Sequence, residues 1–211
     1  MRGVRIFLAI LISLLPINAL RVWAYRRILG YHMRNAFVGF GTVIAVDRAI
    51  IQNCKIGLFN LFLGPARIVI KDGASMGNEN RVVCGFWVLK QEYAGHGYSR
   101  TFEVAENSLI TSNHYFDVVG TFKLGQRSWI AGIGSQFWTH GAGNRDQRVE
   151  IGSDCYVGSA VRFSPDSSIG NNVILSLGSV VTKAIPGDNL MVGGVPAGVL
   201  QENYDWRTRV A

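Results

Sequence analysis

Four histidines are the natural candidates for proton transfer in this 211-residue sequence: His32, His96, His114 and His140. An imidazole with an ordinary pKa of about 6.5 both takes and returns a proton near neutral pH. His140 lies in QFWTHGAGNRDQRVE, residues 136–150, which follows no regular register. It reads as a loop of about a dozen residues, and loops thrown out from a rigid scaffold are where chemistry tends to sit. No two histidines lie within five residues of each other, and Cys54, Cys84 and Cys155 form no CxxC pair. Neither a zinc site nor a disulfide framework is expected from that pattern, and a reducing compartment fits it.

The elements that must position these residues show in the periodicity. From Ile151 a large apolar residue recurs every six positions: Ile151, Val157, Phe163, Ile169, Leu175 and Val181. Between them sit the slim residues Cys155, Val161, Ser167, Val173 and Ser179. A helix requires a period near 3.6 and a plain strand a period of 2. A period of six is that of a hexapeptide-repeat parallel β-helix, in which short strands are separated by sharp corners. The same step runs through Val38, Ile44, Ile50, Ile56, Phe62, Ile68 and Ala74. It breaks in the aromatic, Gly-rich stretch 86–101, which predicts an extended coil or protruding loop. It resumes at Val104, Ile110, Phe116 and Phe122, then slips by two to Leu124 and Ile130, which predicts a shortened corner. Cys54 and Cys155 fall at slim positions and read as core fillers, whereas Cys84 falls at none. Eighteen residues per three-sided turn predict about six or seven turns and a prism roughly 30 Å tall.

Charge is uneven along the chain. Residues 1–46 carry Arg2, Arg5, Arg21, Arg26, Arg27 and Arg34 and no acid, which is six of the net seven positive charges. These arginines flank apolar residues, so an anionic membrane surface is a better partner than nucleic acid. The apolar run before Pro16 is about a dozen residues, short of the roughly 20 that span a bilayer. Pro16 breaks it, and a second helix from about Asn18 brings Leu20, Trp23 and Arg27 together. The segment is expected to be a kinked helix or helical hairpin in the membrane interface. A cleaved signal peptide and a helix packed on the coil or on a neighbouring subunit are the alternatives. The expected organisation is an apolar helical segment at 1–35, an all-β solenoid at 36–200 and a short polar helix or tail at 201–211.

The pieces IGNNVIL, GSVVTK-x-IP and GGVPAGVL resemble the C-terminal signature of the left-handed β-helix hexapeptide acyltransferases. The FWTHG loop and apolar N-terminus are similar to the subgroup that O-acetylates surface polysaccharide and lipopolysaccharide, the colanic-acid type among them. The resemblance implies a homotrimer with active sites between subunits, acetyl-CoA as cosubstrate, no metal, and His140 as the general base. It implies acceptor contacts from Asn113, with His114 and Trp138 beside it. Ser159, Leu177, Gly178, Thr182, Lys183, Pro196 and Ala197 become the cofactor-binding candidates. Gly198 follows VPA where the family often has Arg or Lys, so Arg207 or Arg209 is expected to hold the 3′-phosphate instead. The histidine spacing departs from that of the zinc-binding γ-class carbonic anhydrases, the other His-bearing members of this architecture.

The reading is therefore an acetyl-CoA-dependent O-acetyltransferase, cytoplasmic and peripheral to the membrane, acting on a surface saccharide or its lipid-linked precursor. An N-acetyltransferase of a nucleotide-linked amino sugar and a non-catalytic scaffold are the competing readings.

Overall fold

A computed structural model describes residues 2–143 and 147–209, the Arg209 side chain excepted. The chain winds as a left-handed parallel β-helix with three faces. The first face stacks Phe37–Val38, Lys55–Ile56, Ser75–Met76, Leu109–Ile110, Trp129–Ile130, Tyr156–Val157, Val173–Leu175 and Leu190–Gly194. Arg81–Val83, Tyr115–Asp117, Gln136–Phe137, Arg162–Phe163 and Val180–Val181 build the second. The third runs from His32–Arg34 through Thr101–Val104, Thr121–Leu124, Arg148–Ile151 and Ser167–Ile169 to Ala184–Ile185. The long strands Val43–Gln52 and Leu61–Ile70 bend round one edge and join the second face to the third.

The six-residue step has a direct physical meaning in this coil. Ile151, Val157, Phe163, Ile169, Leu175 and Val181 all point inward and are buried, as are all five slim residues between them. On the second face Phe62, Val82, Phe116, Phe137 and Phe163 lie in register. Phe116 and Phe137 stack at 4.8 Å with their planes 6° apart. Such a column buries apolar surface only between neighbouring turns, so no turn is stable alone.

Four sequence expectations change. Ile51 rather than Ile50 is the buried residue, because the register shifts by one after Val46, where Asp47 alone stands opposite Pro65 and Ala66. Ala74 is buried, but Met76 is the inward strand residue there. Phe122 and Leu124 are both inward residues of the single strand Thr121–Leu124, so the two-residue slip lengthens a turn and shortens no corner. Residues 136–137 and 148–150 are registered strand, which confines the loop to 138–147, of which 144–146 lie outside the described residues. The aromatic stretch forms two short 3-10 helices, Phe86–Leu89 and Gln91–His96.

The N-terminal segment forms helices α1 (Arg2–Ser13) and α2 (Asn18–Arg27), separated around Pro16. They close the open end of the solenoid. Asn18 receives the Val38 N–H at 2.8 Å and donates to Ala36 O at 3.2 Å. The Tyr25 hydroxyl receives the Ile44 N–H at 3.2 Å and donates to Thr42 O at 2.8 Å. Tyr31 does the same one step on, receiving the Val46 N–H at 3.0 Å and reaching Ile44 O at 3.1 Å. Two arginines turn inward: Arg21 bonds Val38 O and Leu15 O, and Arg5 bonds the Val46 and Asp47 carbonyls. Arg2, Arg26, Arg27 and Arg34 remain exposed. At the other end, Leu190–Gly194 pairs antiparallel with Ala197–Gln201. The tail returns along the wall, ends in the 3-10 turn Trp206–Arg209, and ties Trp206 Nε1 to Asp154 O at 2.7 Å.

Tyr25→Phe strips both partners from a buried strand edge, and an unsatisfied buried backbone group costs about 1–3 kcal/mol. Urea unfolding is expected to show a lowered midpoint with an unchanged slope; an unchanged midpoint would refute the capping role.

Candidate functional site

The site is built from the second face outward. Gln136–Phe137 pairs with Tyr115–Asp117 on one side and Arg162–Phe163 on the other. Phe137 enters the aromatic column, so Trp138 points out and Thr139 returns inward, fully buried. Thr139 then locks the start of the loop. Its N–H donates to Asp117 Oδ2 at 3.1 Å, and its hydroxyl receives the Gly120 N–H at 2.8 Å and donates to Asp117 O at 2.9 Å.

His140 follows, with Nδ1 2.7 Å from Asp117 Oδ2. Asp117 is only 4% exposed, whereas the His140 side chain keeps 31% exposure. A carboxylate can only accept, so the proton of neutral His140 sits on Nδ1 and the free lone pair on Nε2. The hydrogen bond to Asp117 raises the His140 pKa above its ordinary value, against the opposing pull of burial. Asp117 is absent from the sequence-derived site. Its signal was a lone acid within FDVVG, a run otherwise suited to burial.

A wall of rings from stretch 86–101 stands against His140. Trp87 lies 5.4 Å from it, and Tyr93 and Tyr98 pack edge-on to Trp87 at 5.0 and 5.6 Å. Trp87, Tyr93, His96 and Tyr98, with His140 and 141–143, enclose a cavity of about 530 Å³.

The predicted acceptor residues lie elsewhere. Asn113, His114 and Trp138 share a separate cavity of about 610 Å³ with Tyr115, Gln136 and Arg81. Asn113 is exposed in the left-handed region at φ 61°, so it is no inward-facing corner residue. His114 is buried, and its Nδ1 receives the Ser135 N–H at 3.1 Å. Its Nε2 then carries the proton and donates to Thr111 Oγ1, 2.9 Å away. Burial pushes its pKa down to about 4. Asn113 precedes Asp117 by four extended residues, about 13 Å, so within one chain it stands at the opposite edge of the face from His140.

The cofactor candidates divide the same way. Ser159, Leu177, Gly178 and Pro196 line the Asn113 edge, with the Gly178 N–H bonded to Ser159 O at 2.9 Å and Leu177 78% exposed. Ala197 is buried where the terminal hairpin turns back. Thr182 and Lys183 are exposed on the His140 edge, two turns further along. Arg207 is held by Asp205 at 3.0 Å and Asp154 at 3.2 Å, at the corner between the first and third faces. Within one chain Arg207 thus stands apart from both edges, and the Arg209 side chain lies outside the described residues. Burial pushes the Cys54 and Cys84 thiols up to about 12 and Cys155 up to about 11, which disfavours the nucleophilic thiolate. Among the described residues, no three His, Cys, Asp or Glu side chains converge as metal ligands would.

No family model matches the chain. Galactoside O-acetyltransferase of Escherichia coli (strain K12) is 40% identical over 57 residues, 27% of this chain and 28% of that protein. Bifunctional protein GlmU of Geobacter sulfurreducens is 34% identical over 67 residues, 32% of this chain and 14% of that protein. The chain thus spans under a third of the length of these curated relatives. In structure it is similar to the polysialic acid O-acetyltransferase OatWY, with TM-score 0.60 and 18% identity over 83% of each chain. The polySia-specific acetyltransferase NeuO gives TM-score 0.51 and 16% identity, again over 83% of each. The chain has the left-handed β-helix fold, and named acetyltransferases stand among its neighbours in sequence and structure.

His140 and His114 are expected to titrate apart. By ¹H–¹⁵N NMR, His140 should protonate above about 6.5 and His114 near 4. Asp117→Asn should bring the His140 midpoint down; an unmoved midpoint would sever the pair.

Proposed function

We propose that this protein is an acetyl-CoA-dependent O-acetyltransferase. Its acceptor is a sugar hydroxyl of a surface polysaccharide, a lipopolysaccharide or their lipid-linked precursor. The observation that carries the reading is His140, with Nδ1 tied to buried Asp117 and Nε2 left to face a cavity. The named acetyltransferases among its relatives support the reaction class.

In the proposed mechanism Nε2 takes the proton of the acceptor hydroxyl as its oxygen attacks the thioester carbonyl. The carbonyl oxygen collects the negative charge, then the C–S bond breaks. The imidazolium returns the proton to the departing thiolate, leaving an acetyl ester and free CoA. Asp117 fixes the tautomer and stabilises the imidazolium in between. Thr182 and Lys183 share the His140 edge and are suited to the cofactor's phosphates, Lys183 as a point charge. Ser159, Leu177, Gly178, Pro196 and Ala197 serve the same ligand from the opposite edge of the face. Asn113 and Trp138 line the other cavity and bear on the acceptor only through a neighbouring copy. A homotrimer, in which one copy's Asn113 edge meets the next copy's His140 edge, reunites both sets. Sedimentation is expected at three times the 23.2 kDa of one chain, and a single-chain mass would refute the trimer.

His140→Ala is expected to cut acetyl transfer by about 10²–10⁴-fold at unchanged melting temperature. The base acts when neutral, so the rate should climb as pH rises through the raised His140 pKa. Asp117→Asn removes the leading cause of that rise, so the climb should begin at lower pH while the plateau rate falls. Full turnover in His140→Ala would overturn the assignment.

The membrane reading rests on the outer face of the cap. Val4, Phe7, Leu11, Ile17 and Trp23 are exposed, at 48–61%, beside Arg2, Arg26 and Arg27. No helix among the described residues is long and apolar enough to cross a membrane. The segment therefore acts as an interfacial anchor that places the enzyme on the cytoplasmic face of the membrane. Replacing Phe7, Leu11 and Trp23 together with Ser spares Ala9, Ile12 and Tyr25, which pack inward. The triple variant should stay folded and lose co-sedimentation with anionic phospholipid vesicles; undiminished binding would refute the anchor.

A further inference from the structure

The ring cluster of stretch 86–101 lies outside the strand ladder, since the second and third faces pair on either side of it. It is nonetheless firmly built. Val88 is buried against the solenoid. A Cβ on Gly85 would fall 2.3 Å from Trp87 Nε1, so the indole lies directly over the glycine. Edge-on contacts with Tyr93 and Tyr98 fix its orientation, and His96 Nδ1 pairs with the Tyr98 hydroxyl at 3.1 Å. All four rings are half-buried around the cavity that His140 faces. A pyranose carries an apolar C–H face and a rim of hydroxyls, and half-buried aromatics with phenol and imidazole edges offer both complements.

We infer that the acceptor pyranose sits in the pocket formed by Trp87, Tyr93, His96 and Tyr98 of the same chain as its His140. This deepens the transferase reading and rests on it. The Asn113 cavity lies at the far edge of the face, and the one histidine in it, His114, already spends both ring nitrogens within the fold. Acceptor selectivity is then set by the 86–101 insertion, independently of the coil that carries the cofactor candidates.

The test uses the full chain with a panel of methyl hexopyranosides and their 2-acetamido counterparts. Saturation-transfer NMR reads glycoside binding without acetyl-CoA, and steady-state kinetics read both KM values with it. Trp87→Ala is expected to abolish saturation transfer and raise the acceptor KM about tenfold or more, with the acetyl-CoA KM unmoved. Trp87→Phe keeps an aromatic face and should recover most of the binding, which separates loss of stacking from loss of folding. A rise confined to the acetyl-CoA KM would overturn the inference in favour of a cofactor contact. A larger acceptor effect from Asn113→Ala would overturn it in favour of the other cavity. Glycoside binding lost in Trp87→Ala, with no acetyl transfer by the wild type, would sustain the pocket and sink the transferase reading. Transfer by Trp87→Ala with an unchanged acceptor KM would do the reverse.

Discussion

Every strand of this solenoid owes its backbone hydrogen bonds to the turn below and the turn above. That arrangement satisfies the middle of the stack and strands its two ends, because an unpaired strand edge is both costly and sticky. The first end is solved with side chains: Asn18, Tyr25 and Tyr31 stand in for the missing turn, giving and taking at consecutive backbone groups. The last end is solved by the chain folding back on itself as an antiparallel hairpin. Between these closures the repeat can run for as many turns as function needs.

The same stacking supplies the stiffness that the site requires. Phe137 cannot move without disturbing Phe116 and Phe163, and Thr139 is bolted to Asp117 on the adjacent turn. The loop therefore leaves the coil from a fixed point in a fixed direction. Asp117 orients His140 from a strand rather than from another loop. A hydrogen-bonded pair held this way keeps one tautomer, which a proton acceptor must have before its substrate arrives.

The architecture was legible because a six-residue beat has few physical causes. Where two paired strands differ by one residue, with Pro65 and Ala66 opposite the single Asp47, the beat alone misplaced the core by one position and picked Ile50 over Ile51. His140 could be singled out by its unregistered loop and by family likeness, but Asp117 could not. The two are 23 residues apart, and only the pairing of their turns brings them together. His114 shows a related limit: next to Asn113 it reads as a ligand contact or a packed corner residue, and only the fold shows both its nitrogens bonded within the coil. The N-terminal segment was legible as apolar and basic. That Arg21 and Tyr25 turn inward depends on the coil's unpaired edge, a property of the assembled fold and not of the segment.

The fixed rise of the coil makes the protein a ruler. His140 leaves the second face at its fifth strand, counting from Val43–Gln52 beside the cap. Four spacings of about 4.8 Å set it some 19 Å above that first strand. Were the proposed anchor to rest the cap on a bilayer, groups at the lipid surface would fall short of the imidazole, and the number of turns below His140 would set the height at which an acceptor meets it.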